Sequence, residues 1–360
     1  MSFYLEADIE EVISQLKDEM GAFSGKNILV TGGQGFLGRY FQKVFIALNN
    51  KLTRPCTLYV VDNLITAGKL GQEAEDNENI HFIKHDIIQP FSSEVDCQFD
   101  FILHAAGIAS PYYYRAYPLE TLEVATVGTK HLLQLAKEHQ ARFVFFSSSE
   151  IYGDPDPRFI PTPESYRGNV AINGPRSCYD ISKRLGETLC HIFHDTHGVH
   201  TNTIRPFNVY GPGMQENDYR VLPNFAAKLQ RGEHLKVYGS GKQTRTYCYI
   251  TDAIAGMFKV FARGVAGEAY NIGNPEPEVS LEELINTIQK IHHAKVCFDK
   301  IDYPDSYPAD EPQRRCADIT KAKIQLEFQP RVGLQDGLKR FLGWTSLHYK
   351  KATSVEGVEH

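Results

Sequence analysis

The chain has 360 residues, 42% of them apolar and 23% charged, which is enough apolar material for a large core in two lobes and too much for a disordered polypeptide. A net charge of -6 and an isoelectric point near 6.2 leave no basic footprint for nucleic acid or an anionic membrane, so small molecules are the expected partners. Seven scattered cysteines with no Cys-x-x-Cys argue against a disulfide scaffold or a zinc site and read as the thiols of a cytoplasmic protein.

Residues 1–23 are acidic and carry Leu5, Ile9, Val12, Ile13 and Leu16 at helical spacing. That pattern fits neither a signal peptide nor a membrane span and predicts an extra helix packed on the first lobe. The apolar run Asn27 to Val30 then leads into Thr31-Gly32-Gly33-Gln34-Gly35-Phe36-Leu37-Gly38, and Tyr40 to Leu48 reads as an amphipathic helix. In a strand, glycine turn and helix of this kind, Gly32 permits the turn, Gly35 lets the backbone approach a pyrophosphate, and Gly38 lets the helix pack closely on the strand. The next strand, Thr57 to Val61, ends at Asp62, whose carboxylate can accept hydrogen bonds from a ribose and repel a 2′-phosphate, favouring NAD over NADP. The glycine-to-acid interval exceeds the usual spacing of about twenty residues, and the polar stretch Asn49 to Pro55 reads as the loop insertion responsible.

Strand and helix signals continue to alternate, as a right-handed parallel sheet requires. Ile80 to Ile83 leads to Asp86 and Ile87, where a carboxylate can reach an adenine amino group. Phe99 to Leu103 leads to His104-Ala105-Ala106-Gly107, small enough for a cofactor to lie against the strand end. A helix over Glu120 to Gln140 precedes the strand Val144 to Phe146, which ends in Ser147-Ser148-Ser149-Glu150. Tyr179 and Lys183 follow one helical turn apart, ahead of a helix over Ser182 to His197 and a strand over Thr201 to Arg205. A tyrosine titrates near pH 10 and works as a base at neutral pH only where a cation stabilises its phenolate, which the lysine on the same helix face can do. Among nineteen tyrosines about one such pair arises by chance, so its context carries the argument. Beyond Pro206 the rhythm breaks into a loop-rich stretch from Gly211 to Pro223, a turn at Val237 to Gly241, a helix at Leu281 to His292 and a polar tail. His191, His194 and His197 drift around their helix and lack a fourth ligand, so no metal site is expected. The expected fold is a Rossmann-type doubly wound α/β sheet: an extension at 1–23, an NAD-binding domain at 24–205, an interleaved, mostly substrate-binding lobe at 206–350, and a tail at 351–360.

The glycine motif, Ser148-Ser149-Glu150, Tyr179 with Lys183, Arg205 to Pro212 and Asn271-Ile272-Gly273-Asn274 together resemble the extended short-chain dehydrogenase/reductase family of nucleotide-sugar epimerases, dehydratases and decarboxylases, over about residues 25 to 345. Within it, Ser149 to Pro155, Gly168-Asn169-Val170 and Gly174 to Asp180 look most like UDP-glucuronate decarboxylases. Tyr238 to Arg245 and Asp310 to Arg315 are similar to that group's diphosphate contacts. The resemblance implies NAD on Gly32, Gly35, Phe36, Leu37, Gly38, Asp62, Asn63, Asp86, Ile87, Ala105, Ala106, Tyr179, Lys183 and Pro206. It also implies a UDP-sugar on Ser149, Asn208, Arg220, Tyr238, Arg245 and Arg315, and a homodimer built on the helices at Glu120–Gln140 and Ser182–His197.

The implied chemistry is transient oxidation at C4 of the sugar. Tyr179 takes the hydroxyl proton, Lys183 lowers the tyrosine pKa, and Ser148 bridges the two oxygens, while Glu150 and Arg245 handle protons or orient an anion. A C6 carboxylate beside a C4 ketone is a β-keto acid and loses carbon dioxide. Ser149 stands where 4,6-dehydratases carry an aspartate, and simple 4-epimerases usually lack Glu150. This chain also departs from the decarboxylases. Glu123, Val124 and Ala125 replace Lys-Thr-Asn, Arg167 replaces a tryptophan, and Ile181-Ser182 replaces Glu-Gly. A carboxylate facing a carboxylate is repulsive. Epimerisation or dehydration of a sugar without a C6 carboxylate therefore stands beside decarboxylation, and a non-catalytic NAD-binding regulator is the reading from another class.

Overall fold

The computed structural model describes residues 2–67, 75–91, 97–302 and 312–350. The first half builds β1 (Asn27–Thr31), α2 (Phe36–Asn49), β2 (Thr57–Asp62), β3 (Ile80–Lys84), β4 (Phe101–His104), α3 (Pro111–Ala116), α4 (Pro118–Glu123), α5 (Thr129–His139), β5 (Arg142–Phe146), α6 (Ser177–His197) and β6 (Thr201–Pro206), after an N-terminal α1 (Glu6–Gln15). The second half adds β7 (Val209–Tyr210), α7 (Val221–Gln230), β8 (Leu235–Tyr238), β9 (Thr244–Arg245), β10 (Cys248–Tyr249), α8 (Ile250–Arg263), β11 (Ala269–Ile272), β12 (Val279–Ser280), α9 (Leu281–Ile291), β13 (Phe298–Ile301), β14 (Arg314–Arg315), α10 (Thr320–Leu326) and α11 (Leu334–His348).

Seven strands form one parallel sheet in the order β11-β6-β5-β4-β1-β2-β3, the Rossmann-type arrangement expected from the sequence. β4 and β1 are buried almost throughout because helices cover both faces, so their sequences are unbroken apolar runs instead of alternating ones. The strand order reverses between β1 and β4, and this switch point opens a crevice at the strands' carboxyl ends. β11, from beyond residue 206, completes the far edge. The remaining strands make three small sheets, β7 with β10, β8 with β13, and β9 between β12 and β14.

Two local expectations need correction. Val237 and Tyr238 belong to β8: Leu235 and Val237 are buried and Lys236 is exposed, a period-2 pattern, and the turn begins only at Gly239, with φ of +66°. The helix expected over Glu120 to Gln140 is interrupted by one π turn, Val124–Gly128. The buried His104 imidazole sits beside this turn, with Nε2 3.3 Å from the Val124 carbonyl and 3.0 Å from Thr129 Oγ1. Burial pushes its pKa down to about 3, so the ring is neutral.

α1 does more than cover the first lobe. Its buried Ile9, Val12 and Ile13 pack toward α2 and α8, and the fully buried Asp8 carboxylate accepts hydrogen bonds from Tyr249 (2.7 Å) and Arg340 (3.1 Å). Glu19 likewise pairs with Lys259 at 2.9 Å. Asp8→Ala strands the buried Tyr249 hydroxyl and should lower stability by roughly 2 kcal/mol, with more than half regained in Asp8→Asn, as read by calorimetry.

Candidate active site

The crevice is built first by the glycine turn. Gly32 sits at φ +69°, and a Cβ there would lie 2.5 Å from the Ala106 backbone, so only glycine lets the ends of β1 and β4 close together. A Cβ on Gly38 would lie 2.3 Å from the Gly32 carbonyl, so the first turn of α2 packs directly on the loop. Gly35 is the N-cap of α2, and the free amides of that helix start open toward the crevice. Asp62 is tied to the same loop: Oδ2 accepts from the Gln34 amide (2.9 Å) and Oδ1 from the Leu64 amide (2.8 Å). Burial raises its pKa above the usual carboxylate value and the two amides oppose that. Asp86 accepts from Asn63 Nδ2 (3.0 Å) and from the Ile88 amide (3.1 Å). Gly32, Gly35 to Gly38, Asp62, Asn63, Asp86, Ile87, Ala105 and Ala106 all line this one cleft. Pro206 does not line it; it ends β6 opposite Ile272.

Tyr179 and Lys183 lie on the buried stripe of α6 that continues through Gly186 and Cys190. The Tyr179 hydroxyl is hydrogen-bonded to Ser148, whose Oγ also accepts the Glu150 amide at 3.2 Å. Lys183 Nζ lies 5.8 Å from the Tyr179 ring centroid and donates to the Phe146 carbonyl at 2.7 Å. Burial pushes the Tyr179 pKa up to about 12, with Glu150 and Asp180 adding to it and Ser148 and Arg220 opposing. Burial also brings the Lys183 ammonium down to about 8. Tyr114 stacks on Tyr179 with centroids 5.6 Å apart and planes 14° apart, and its buried hydroxyl has no partner among the described residues.

Glu150 is held by arginines. Arg315 grips it with two hydrogen bonds of 2.6 Å, Arg176 binds Oε2, and Arg245 lies close enough to act on its charge. Burial alone would raise its pKa, but Arg176, Arg315 and Arg245 override that and bring it down to about 2, so it is a carboxylate. Asp180, buried beside that negative charge, rises to about 7 against the pull of Arg176 and Arg315.

The other sequence candidates are placed as follows. Arg220 lines the cleft, paired through Nε at 3.0 Å to both oxygens of Asp218. Arg245 donates to the carbonyls of Pro312 (2.6 Å), Thr244 (2.8 Å) and Gln313 (3.2 Å), and Arg315 lies opposite it in register on β14. Asn208 adopts φ +41° and holds the Thr246 carbonyl at 2.8 Å. Ser149 is buried in the turn after β5, and Tyr238 ends β8; neither lines the cleft. Asp310 and Glu311 lie outside the described residues. Glu123 does not line the cleft, whereas Glu120, one turn earlier, does. Sequence reading missed Arg39, Tyr113, Tyr114, Glu120 and Arg176 as site residues; the last stood in view three positions before Tyr179, and the tyrosines just past a strand end. Among the described residues, no group of three or more His, Cys, Asp or Glu can hold a metal ion, and no helix is long and apolar enough to cross a membrane.

The model of the NAD dependent epimerase/dehydratase family matches residues 28–273. The chain is 36% identical to UDP-glucuronic acid decarboxylase 1 of Xenopus tropicalis, covering 96% of this chain and 81% of that one. It is 38% identical to UDP-glucuronic acid decarboxylase 5 of Arabidopsis thaliana, covering 90% and 91%. Among solved structures, an epimerase of Methanothermobacter thermautotrophicus superposes with a TM-score of 0.78 at 26% identity, over 93% of this chain and 96% of that one. UDP-glucuronic acid 4-epimerase of Bacillus cereus, solved with UDP-glucuronic acid and NAD, gives 0.77 at 25% identity, over 90% and 100%. With the glycine cradle and Asp62 suited to a dinucleotide, these likenesses make the chain a member of the NAD dependent epimerase/dehydratase family, an NAD-using enzyme.

Proposed function

We propose that this enzyme decarboxylates a UDP-hexuronate, with UDP-glucuronate as its substrate. The observation that carries the reading is the buried Arg176, Arg245 and Arg315 around Glu150 beside Tyr179, in a chain 36% and 38% identical to UDP-glucuronic acid decarboxylases over at least 90% of its length. Residues 24–205 hold the cofactor and residues 206–350 mostly the sugar nucleotide. Gly32, Gly35, Phe36, Leu37 and Gly38 take the NAD diphosphate. Asp62 with Asn63 takes the adenosine ribose, and Asp86 and Ile87 take the adenine. Ala105, Ala106, Tyr179 and Lys183 surround the nicotinamide end. Bound NAD supplies the hydride acceptor.

Tyr179 removes the C4 hydroxyl proton, and Ser148, already bonded to its oxygen, carries the hydrogen-bond link to the sugar. Lys183, which donates to the Phe146 carbonyl at 2.7 Å, would hold the nicotinamide ribose and favour the tyrosine phenolate. With a ketone at C4, the C5–C6 bond breaks, its electron pair passes into the C4 carbonyl, carbon dioxide leaves, and a proton returns to C5. Arg220, Arg245 and Arg315, with Asn208, orient the diphosphate and carboxylate. Leu122, Val127, Leu185 and Ile192 are each at least 39% exposed on the packed α4 to α6 face, which supports a homodimer through these helices. The seven free thiols support the reading of a cytoplasmic protein.

Incubation with UDP-glucuronate, with and without added NAD, should release carbon dioxide and yield UDP-xylose or its 4-keto precursor by NMR. A second reading rests on Glu120: a carboxylate lining the cleft favours a neutral sugar. Turnover of neutral UDP-sugars, with none of UDP-glucuronate, would establish that reading instead.

A further inference from the structure

We infer that Arg39 is a cofactor-binding residue whose guanidinium serves as the cation for the NAD diphosphate. Arg39 lies in the first turns of the fourteen-residue α2, and helical side chains lean back toward the helix N-terminus, over the turn that precedes them. Arg39 does this: its Nε lies 3.4 Å from the carbonyl of Gly35, the N-cap glycine, and the residue lines the same cleft as Gly35 and Asp62. The side chain is only 3% exposed. Nη2 donates to the Gly213 carbonyl at 2.9 Å, whereas Nη1 is buried with no partner among the described residues. A buried guanidinium left one donor short is costly unless an anion completes it.

The surroundings hold the group in place. The Phe3 ring covers one side, 4.4 Å from the guanidinium carbon, and Gly213 packs so tightly on Phe3 that a Cβ there would lie 2.9 Å from its carbonyl. The N-terminal extension thus braces the cation against the glycine loop. The start of α2, with its free amides, and Arg39 line the same cleft, and a dinucleotide offers a dianionic diphosphate to a helix start of this kind.

The competing account makes Arg39 a staple for the loop at Gly213. Tyr40 separates the two, because its hydroxyl ties the neighbouring Pro212 carbonyl at 3.1 Å without any charge. Binding of NAD, ADP-ribose and adenosine is measured by calorimetry on Arg39→Met, Arg39→Lys and Tyr40→Phe, alongside thermal unfolding. Arg39→Met should weaken NAD and ADP-ribose by about tenfold or more, leave adenosine within about twofold, and flatten the salt dependence of ADP-ribose binding. Tyr40→Phe should bind NAD within about twofold of the parent. Unchanged NAD affinity in Arg39→Met, an equal loss for adenosine, or an equal loss in Tyr40→Phe would each overturn the assignment. If Arg39→Met does not fold, Arg39→Lys carries the test: a smaller loss for ADP-ribose with none for adenosine supports the role, and equal effects on the two ligands, or none, defeat it.

Discussion

Tyr179→Phe should cut turnover of the UDP-sugar by about a thousandfold while leaving NAD affinity within about twofold. The phenylalanine ring preserves the stack on Tyr114 and the packing of α6, so the loss isolates the hydroxyl. The proton in question is held tightly, because burial pushes the tyrosine up to about 12 and Glu150 and Asp180 add to this. A base with a raised pKa is protonated at neutral pH, so the rate of proton removal should rise with pH across the working range. Ser148→Ala removes the hydrogen bond that opposes the rise, and its rate profile should move to still higher pH. A Tyr179→Phe enzyme with near-normal turnover would show that another group takes the C4 proton.

Glu150→Gln should be the most destabilising conservative change at the site, at roughly 3 to 5 kcal/mol, because it leaves Arg315 and Arg176 buried without their counter-charge. Replacing both partners, in Glu150→Gln with Arg315→Met, should cost less than the sum of the two single changes. The pH dependence has a defined sign. Glu150 sits at about 2 in the folded protein, below the roughly 4.3 of an unfolded glutamate, so its contribution is complete above about pH 5 and is lost as pH falls toward 2. Asp180 acts oppositely. At about 7 in the fold, it favours the native state most below its unfolded value of about 3.9, and that contribution is lost as pH rises through 7. Denaturant midpoints measured from pH 2 to 8 should therefore show a shallower acid limb in Glu150→Gln. An unchanged limb would mean that Glu150 is not the carboxylate that Arg315 holds.

The parallel sheet was legible because buried strands such as Asn27 to Val30 and Val144 to Phe146 are unbroken apolar runs, and because each ends in a residue pattern with one backbone use. Gly32 and Gly38 occupy positions where a Cβ would overlap backbone, so the glycine turn could be read without coordinates. Asp62 was legible at the strand end for the same local reason. The two-residue strands β7, β9 and β10 escaped reading, since pairings such as Thr244–Arg245 with Arg314–Arg315 depend on partners far along the chain. The same distance hid the grip of Arg315 on Glu150, 165 residues apart, and it hid Tyr114 stacked on Tyr179. It was packing, too, that set Glu120 instead of Glu123 in the cleft, because which side of a short helix faces a cavity is decided by how α3 and α4 lie against α6. Local backbone chemistry and the period of burial are written in consecutive residues, and the sequence by itself determined the sheet, the turn and the family likeness. Which charges meet, and how far burial moves each proton, arise only when distant segments share one low-dielectric space, so the tertiary structure decided the ionisation of Glu150, the high proton affinity of Tyr179 and the place of Arg39 beside Gly35.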